Sequence, residues 1–419
     1  MANRIKDNKG RILREGERQR TDGRYEFRYV DIRRNIRSIY SWRLVGSDPL
    51  PPGKHKCQPL REMERQLAHD IYDGLDAQSA KTITLDRAFE MFLAAKSGVK
   101  ASTIGLYQDV YERYVRPAIG QQPADAFRPS TIKAFYINLQ KEKGLSYATV
   151  KNVNAVLQQV FQLLVDDDVL RKNPCVGAIK SAKVNTSEKR CALSTRQQED
   201  FLRFVVENKC CEHWRPLISF LFGTGVRIGE AAALLWKDID FERHEIHVCR
   251  TVTKERKESG GYSYPVGTPK SSAGDRYIPM LEDVELILRR EYMLYSARKQ
   301  PDDIGEYNVF LSKAGTPLSP RGFSDCLKGI CKRYNKYELR AAEKEGREAV
   351  LMPVFSPHII RHTFCTRLCE QKVDIKVIQE IMGHSSAAIT MEIYNDANKE
   401  LKRPTFEALN GRITVTASA

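Results

Sequence analysis

Two histidines and an arginine stand close together in SPHIIRHTFCTRL, residues 356–368. Ser356 is of a type that caps helices and Pro357 suits a first helical position, so the segment predicts a helix that begins there. Free backbone N–H groups and the dipole at a helix N-terminus favour an anion. His358 and Arg361, three residues apart, share one face of that helix. The pattern therefore predicts a site for a phosphate group.

The same segment allows two other interpretations. A metal site would use His358, His362, Cys365 and Cys369. His358 and Cys369, the outer residues of this row, would lie roughly 16 Å apart along the helix. Because zinc ligands lie about 2.0–2.3 Å from the ion, these four side chains cannot all bind one metal. HxxRH also lacks the glutamate of the HExxH zinc motif. A core helix with hydrogen-bonded histidines stays open on this segment alone.

A second arginine follows a glycine-rich turn in FGTGVRIGEAAALLWKDIDF, residues 222–241. Arg227 and Glu230 are three residues apart at the start of a predicted helix, so the carboxylate can orient the guanidinium through a charge-assisted hydrogen bond. The Gly-Thr-Gly turn is weak support for nucleotide binding, and the Walker pattern GxxxxGK[ST] is absent. Taken alone, such a pair is more often structural than functional.

A histidine and a tyrosine follow in QEIMGHSSAAITMEIYND, residues 379–396. This segment predicts a helix that ends at Gly383, a turn that exposes His384, and a second helix that carries Tyr394. A tyrosine beside Ile393 is ordinarily a core residue, so Tyr394 does not stand out by itself. The functional interpretation depends on the order of the three segments along the chain.

In order, the chain presents RxxE, HxxR behind a helix cap, GH, and a tyrosine ten residues later. This set resembles the tyrosine recombinase (phage integrase) family, whose active site has two arginines, one or two histidines, a hairpin lysine and a tyrosine. The resemblance covers residues 193–398. It implies that Glu230 orients the first arginine of a catalytic set formed by Arg227, Lys270, His358, Arg361, His384 and Tyr394.

The lysine is assigned by its position in a β-rich region, residues 244–280. In this family it lies on a hairpin turn between the first arginine and the histidine. YSYPVGTPKSSAGDRYIPM, residues 262–280, has strand-like runs on both sides of Lys270 and resembles the family's stretch. Lys254 and Lys257 remain alternatives in the same region, and Lys270 is preferred.

The resemblance implies a covalent mechanism. Tyr394 would attack a backbone phosphorus and leave a 3′-phosphotyrosine and a free 5′-hydroxyl. Arginines would bind the non-bridging oxygens, histidines would move protons or hydrogen-bond the phosphate, and Lys270 would protonate the departing oxygen. Because cationic side chains supply the electrostatic stabilisation, no metal and no other cofactor is expected.

The composition favours a polyanionic partner. The 419 residues include 68 Lys and Arg against 53 Asp and Glu, a net charge of +15, and residues 1–60 hold 15 basic against 7 acidic residues. For such a chain nucleic acid is the leading candidate. With no apolar run of about 18 residues and no secretory signal pattern at the N-terminus, a cytoplasmic protein is expected. Its ten cysteines lack paired CxxC spacing and are expected to be reduced.

The elements that must position these residues predict a multidomain chain. RYEFRYVDI (24–32) alternates with a period of two, RSIYSWRLV (37–45) could pair with it, and KDNKGRIL (6–13) could supply a third strand before a helix over 60–78. From Thr84, four amphipathic stretches predict helices. The expected parts are a small β-sheet domain 1–78, an all-α domain 82–178, a basic linker 179–192, a mixed α+β (mainly α) catalytic domain 193–398 and a C-terminal tail 399–419.

The first two domains and the tail also resemble parts of this family. The helical domain resembles the core-binding (SAM-like) domain, which clamps DNA together with the catalytic domain. The strands resemble the arm-binding domain of conjugative-transposon integrases, whose three-stranded sheet enters the major groove. The contacts predicted for this sheet are Arg20, Arg24, Tyr40 and Lys54; a sheet whose arginines only face water is the alternative. GRITVTASA in the tail is expected to dock on a neighbouring subunit, with a frayed tail as the alternative.

The sequence leaves three possible functions open. The first is a site-specific recombinase that excises and integrates a mobile element, a conjugative transposon or prophage. It would act as a homotetramer on double-stranded DNA with core-type and arm-type sites, and an excisionase is a candidate accessory partner. The second is a type IB topoisomerase-like relaxing enzyme, and the third a catalytically inactive DNA-binding protein. The two DNA-binding modules favour the first, because a relaxing enzyme has no need to bridge distant sites.

Overall fold

The computed structural model describes residues 5–32, 34–180, 191–257, 259–269, 271–297 and 301–397. Its contacts divide the chain into two compact units, Met1–Glu188 and Lys189–Ala419. The finer division of the first unit at residues 78–82 stays a prediction. None of the helices in the described ranges is both long enough and apolar enough to span a membrane.

The first unit begins with a three-stranded antiparallel sheet in the order β1-β2-β3, whose strands are β1 Glu17–Gln19, β2 Tyr25–Val30 and β3 Ile36–Ser41. The expectation of a third strand at 6–13 was wrong. Those residues form a turn with one isolated bridge, Lys6 to Ile12, because the Asp7 carboxylate accepts backbone hydrogen bonds from Lys9 and Arg11. Such local side-chain bonding competes with strand pairing.

One helix covers this sheet: α1, Leu60–Tyr72. The small core between them contains Leu13, Tyr25, Leu44 and Leu60. Buried carboxylates are paired there, since Arg61 donates to Glu17 and Arg11 donates to Asp48. The other face of β3 is left for the basic and aromatic side chains described below.

After the sheet domain, the described part of the first unit has six α-helices: α2 Ala77–Thr82, α3 Leu85–Ala95, α4 Ala101–Val110, α5 Arg116–Ile119, α6 Pro129–Lys141 and α7 Tyr147–Asp166. Thr84 and Ser146 cap α3 and α7 through their hydroxyl groups, as their positions predict. One π-helical turn, Tyr111–Val115, links α4 to α5. Within it the Tyr111 ring stacks on Phe89, and its hydroxyl donates to Asp86.

The second unit is built mainly from helices: α8 Thr195–Glu207, α9 Arg215–Thr224, α10 Ile228–Ala233, α11 Glu282–Ser296, α12 Pro320–Glu345, α13 Pro357–Glu370, α14 Ile375–Met382 and α15 Ala387–Ala397. Helix α9 is apolar on nearly every side and lies in the main core, where it packs against α11 and α13. A helix buried in this way fixes the direction of the turn that follows it.

Short strands separate α10 from α11: β4 Ile239–Asp240, β5 Glu245–Val248, β6 Thr251–Val252, β7 Glu255–Arg256, β8 Tyr262–Ser263, β9 Val266–Gly267 and β10 Arg276–Pro279. One antiparallel sheet has the order β10-β5-β4, while β6 pairs with β9 and β7 with β8 to form a long hairpin. The mixed, mainly helical class predicted for this region is confirmed.

Candidate active site

The first predicted arginine lies in the turn between α9 and α10. Helix α9 ends at Thr224 and is capped by Gly225, whose φ of +62° is left-handed and where a Cβ would meet the Phe364 ring at 2.3 Å. Arg227 occupies the N-cap position of α10. Its backbone N–H donates to Glu230 Oε2 at 2.9 Å and its Nη1 donates to Oε1 at 2.7 Å. Glu230 therefore both caps the helix and holds the guanidinium.

The second predicted arginine is buried in α13. Arg361 is 3% exposed, donates from Nη1 to the Gly225 carbonyl at 2.9 Å, and donates from Nη2 to the Met382 carbonyl. Ser356 stands at the N-cap with Pro357 after it, but the Ser356 side chain accepts no capping hydrogen bond. His358, one turn before Arg361, is exposed, so the interpretation of α13 as a helix with buried histidines does not hold for it.

The turn after α14 joins the arginines. Arg276 Nε donates to the Ile381 carbonyl at 2.7 Å, Arg361 donates to the next carbonyl, and Arg227 Nη2 donates to the Gly383 carbonyl at 3.1 Å. The last carbonyls of a helix lack partners within the helix and carry partial negative charge. Three guanidinium groups from separate elements therefore meet at three consecutive carbonyls.

His384 follows this turn and is buried, not exposed as the sequence suggested. Its Nδ1 lies 2.9 Å from the Thr390 hydroxyl on α15. Burial lowers the pKa of His384 to about 4, and the charges of Arg361 and Arg227 act in the same direction. The imidazole is therefore neutral at neutral pH.

This buried histidine predicts a pH-dependent stability. An unfolded chain protonates His384 near its ordinary pKa of 6.5, whereas the folded protein does so near 4. The contribution of His384 to the free energy of unfolding is then fully present above pH 6.5, and this free energy falls by about 3 kcal/mol as the pH drops toward 4. Urea unfolding of the second unit at pH 7 and pH 4.5 should show this fall in wild type and a smaller one in His384→Gln. An identical fall in both proteins would contradict the assignment.

The candidate nucleophile lies on the next helix. Tyr394 is half-buried on α15, one turn after Thr390, and packs with Cys365, Met382 and Ile393 in a small apolar cluster between α13, α14 and α15. The tyrosine helix is thus joined to the arginine helix by packing and to His384 by a hydrogen bond.

The charges of this cluster are unbalanced. Among the described residues, Arg227, Arg276 and Arg361 lie around one carboxylate, that of Glu230. Burial lowers the pKa of Arg361 to about 9, and the neighbouring Arg227 adds to the effect. Burial opposes ionisation of Glu230, but the charges of Arg276 and Arg227 outweigh it and lower its pKa. An added anion would relieve the excess positive charge, which fits a site for a phosphodiester.

Lys270 lies outside the described residues. In the sequence it comes after β9 and before β10, which begins with Arg276. Of the two alternatives, Lys254 holds its ammonium 3.3 Å from the centre of the Tyr262 ring, farther along the hairpin. Lys257 is exposed near the hairpin tip. Lys270 therefore stays the preferred prediction.

One group within the described ranges has ligand atoms close enough for a metal ion. Asp238, His247 and Cys249 place such atoms within 4.8 Å of one another. Arg250 already donates to Asp238, and His247 Nε2 lies 2.8 Å from Asp275. Burial also raises the pKa of Cys249, which disfavours the thiolate that binds metals. This group is better explained as an ion-paired support of the sheet.

The four contacts predicted for the N-terminal sheet lie on one surface. Arg20 and Arg24 lie over the Tyr40 ring at 5.5 and 5.6 Å, and Arg24 and Lys54 lie over Trp42 at 5.7 and 4.6 Å. Trp42 was missed by the sequence analysis. A signal was available, because Trp42 is two residues from Tyr40 and so shares its face in an extended chain. We call these five residues the basic aromatic face.

Family models match both ends of the chain. The phage integrase family matches residues 192–400, and the DNA binding domain of Tn916 integrase matches residues 1–71. The transposases from transposon Tn1545 of Streptococcus agalactiae and from transposon Tn916 of Enterococcus faecalis are each 30% identical over 411 residues, covering 98% of this chain and 98% of the relative.

A solved structure shows the same fold. The Tn1549 transposon integrase in complex with transposon right end DNA is 29% identical, with a TM-score of 0.67, and the match covers 78% of this chain and 100% of that one. The predicted family and fold class are confirmed. The chain belongs to the phage integrase family of tyrosine recombinases, among the transposon integrases that carry a Tn916-type N-terminal DNA-binding domain.

Proposed function

We propose that this protein is a site-specific DNA recombinase that excises and integrates a mobile element through a 3′-phosphotyrosine intermediate. One observation carries the proposal: three guanidinium groups with one carboxylate meet at the turn between α14 and the helix of Tyr394. Such a cluster favours an anion, and the scissile phosphodiester is the anion that the tyrosine on the following helix would attack.

The proposed reaction conserves the energy of the phosphodiester bond. The Tyr394 oxygen bonds to phosphorus as the bond to the 5′-oxygen breaks, and the tyrosine proton passes to a base. His384 is neutral and can accept a proton or donate a hydrogen bond. Arg227 and Arg361 bind the non-bridging oxygens, with His358 at the exposed edge of the site. Lys270 protonates the leaving 5′-oxygen, and the reverse sequence joins a new strand.

The mobile element follows from the relatives. The Tn1549 integrase has been solved with transposon right end DNA and with a circular intermediate DNA, and the two relatives that match 98% of this chain are transposon transposases. We infer that this chain acts on the joined and separated ends of its own element, in the cytoplasm. The alternative of a DNA-relaxing enzyme does not explain the basic aromatic face.

The assembly follows from the number of nucleophiles. Exchange of two duplexes breaks four strands, and each chain offers one Tyr394, so four copies on DNA are required. The expected docking of GRITVTASA, at the end of the tail 399–419, on a neighbouring subunit concerns residues outside the described ranges. An excisionase remains the candidate accessory partner, and the helical domain 82–178 is proposed to clamp core-type sites.

The test uses a nicked suicide duplex that carries the end of the element. Wild-type protein should form a protein–DNA adduct that survives denaturation, and two such duplexes should yield recombinant junctions. Adduct and relaxation without junctions would favour a topoisomerase. Binding without adduct would favour an inactive DNA-binding protein.

A separate prediction concerns the basic aromatic face. Trp42→Ala should weaken binding to arm-type DNA about tenfold, because it removes the ring that orders two cations. Cleavage of a core-type suicide duplex should stay unchanged. Fluorescence anisotropy at fixed salt measures the affinity, and Tyr72→Ala, an exposed aromatic on α1, is the matched control. Equal arm affinity in Trp42→Ala and wild type would remove this face from the DNA interface.

A further inference from the structure

A third arginine, outside the catalytic set, is buried behind the site. The Arg276 side chain is 7% exposed. Its Nε donates to the Ile381 carbonyl at 2.7 Å, its Nη1 to the Gly274 carbonyl at 3.1 Å, and its Nη2 to Glu230 Oε2 at 3.0 Å. Because all three of its nitrogens already donate to protein atoms, we assign this guanidinium to holding the protein part of the site and not to binding DNA.

Through Glu230, Arg276 acts on the first catalytic arginine. Glu230 Oε1 accepts from the Arg227 guanidinium, while Oε2 accepts from the Arg227 backbone and from Arg276. The Arg227 side chain is 44% exposed. Without Arg276, the carboxylate would lose one of its two cationic partners and would be free to rotate toward Arg227, which would change the direction of that guanidinium.

Arg276 also fixes the turn that carries His384. The carbonyl that it binds precedes the two carbonyls that hold Arg361 and Arg227. The fit is tight, because a Cβ on Gly383 would lie 2.7 Å from the Ala273 carbonyl and 3.0 Å from Arg276 Nη1. The φ of +61° at Gly383 likewise suits glycine.

We propose that Arg276 is a positioning residue that aims Arg227 at the non-bridging oxygens of the scissile phosphate, through Glu230 and the turn at 381–384. The inference rests on the proposed function. It identifies a link between strand β10 and the phosphate-binding arginines that the six-residue set does not contain.

The test compares Arg276→Gln and Arg276→Lys with wild type on three suicide duplexes. Both variants should form adduct about 10–100-fold more slowly on the ordinary duplex, as for loss of an outer hydrogen-bond partner, with DNA affinity unchanged. A duplex with a methylphosphonate at the scissile position has one non-bridging oxygen replaced by methyl and no charge there to neutralise. On this methylphosphonate duplex, the difference in adduct-formation rate between each variant and wild type should shrink. On a duplex with sulfur at the 5′-bridging position, the difference in rate should persist, because a sulfur leaving group departs without needing a proton.

The controls separate the possible failures. Arg347→Gln removes another arginine paired with a buried carboxylate, Glu338, away from this turn, and should cleave at the wild-type rate. Thermal melting checks folding, and Arg276→Lys keeps the buried charge if Arg276→Gln does not fold. Wild-type rates in both variants would overturn the inference, as would recovery on the sulfur duplex alone, which would assign Arg276 to the leaving group. No adduct from wild type would instead overturn the proposed function.

Discussion

Tyr394→Phe is expected to abolish the covalent protein–DNA adduct while leaving DNA binding intact. Phenylalanine lacks the only oxygen that the tyrosine side chain can offer to phosphorus, and no other group on α15 replaces it in the proposed reaction. The ring packs with Met382 and Ile393, and this packing survives the loss of the hydroxyl. Adduct formation should fall below detection, a loss of at least about 10⁴-fold.

The measurement is a denaturing gel of the suicide duplex, with affinity measured in parallel. Tyr337→Phe, an exposed tyrosine on α12, is the matched control and should form adduct at the wild-type rate. Adduct from Tyr394→Phe at the wild-type level would show that another residue is the nucleophile, and peptide mapping of the adduct would then identify it.

The helix starts and ends around the proposed catalytic residues were accessible to sequence reasoning because helix signals are local. Gly225 and Gly383 end helices in left-handed conformations, and Arg227 and Glu230 interact across one helical turn. These features depend on residues within four positions of each other, so spacing alone predicts them.

The hydrogen-bond partners of the arginines could not be predicted from the sequence, because they depend on tertiary packing. The Gly383 carbonyl is 156 residues from Arg227, and a carbonyl carries no residue-type signal. Arg276 was read only as part of a strand, and its bonds to Glu230 and Ile381 appear only when β10 is placed beside α14. The burial of His384 was missed for the same reason.

Errors at the N-terminus have a local cause. Residues 6–13 have strand-like ends, but the turn formed by Asp7 uses backbone groups that a strand would need. The paired strand instead begins at Glu17, whose side chain is held by Arg61 from α1, 44 residues later. That ion pair is a tertiary contact, so no local sequence pattern predicts it.

Arg361→Lys is the second large effect that we expect, a loss of about 10³-fold or more in adduct formation. An arginine that binds a transferring phosphoryl group contributes about 10³–10⁵ in rate. A lysine keeps one charge but cannot bind the Gly225 and Met382 carbonyls and a phosphate oxygen together, because it lacks the planar fork of donors. Its ammonium would also be buried at 3% exposure beside two other arginines.

The same substitution on the same helix provides the control for Arg361→Lys. Arg367 donates to the Leu193 carbonyl and to Gln198, away from the carbonyls at 381–383, so Arg367→Lys should change the adduct rate less than about threefold. Single-turnover adduct formation at saturating DNA measures both. If the two variants lost activity equally, the loss would be a general effect of altering α13, and Arg361 would have no special role at the phosphate.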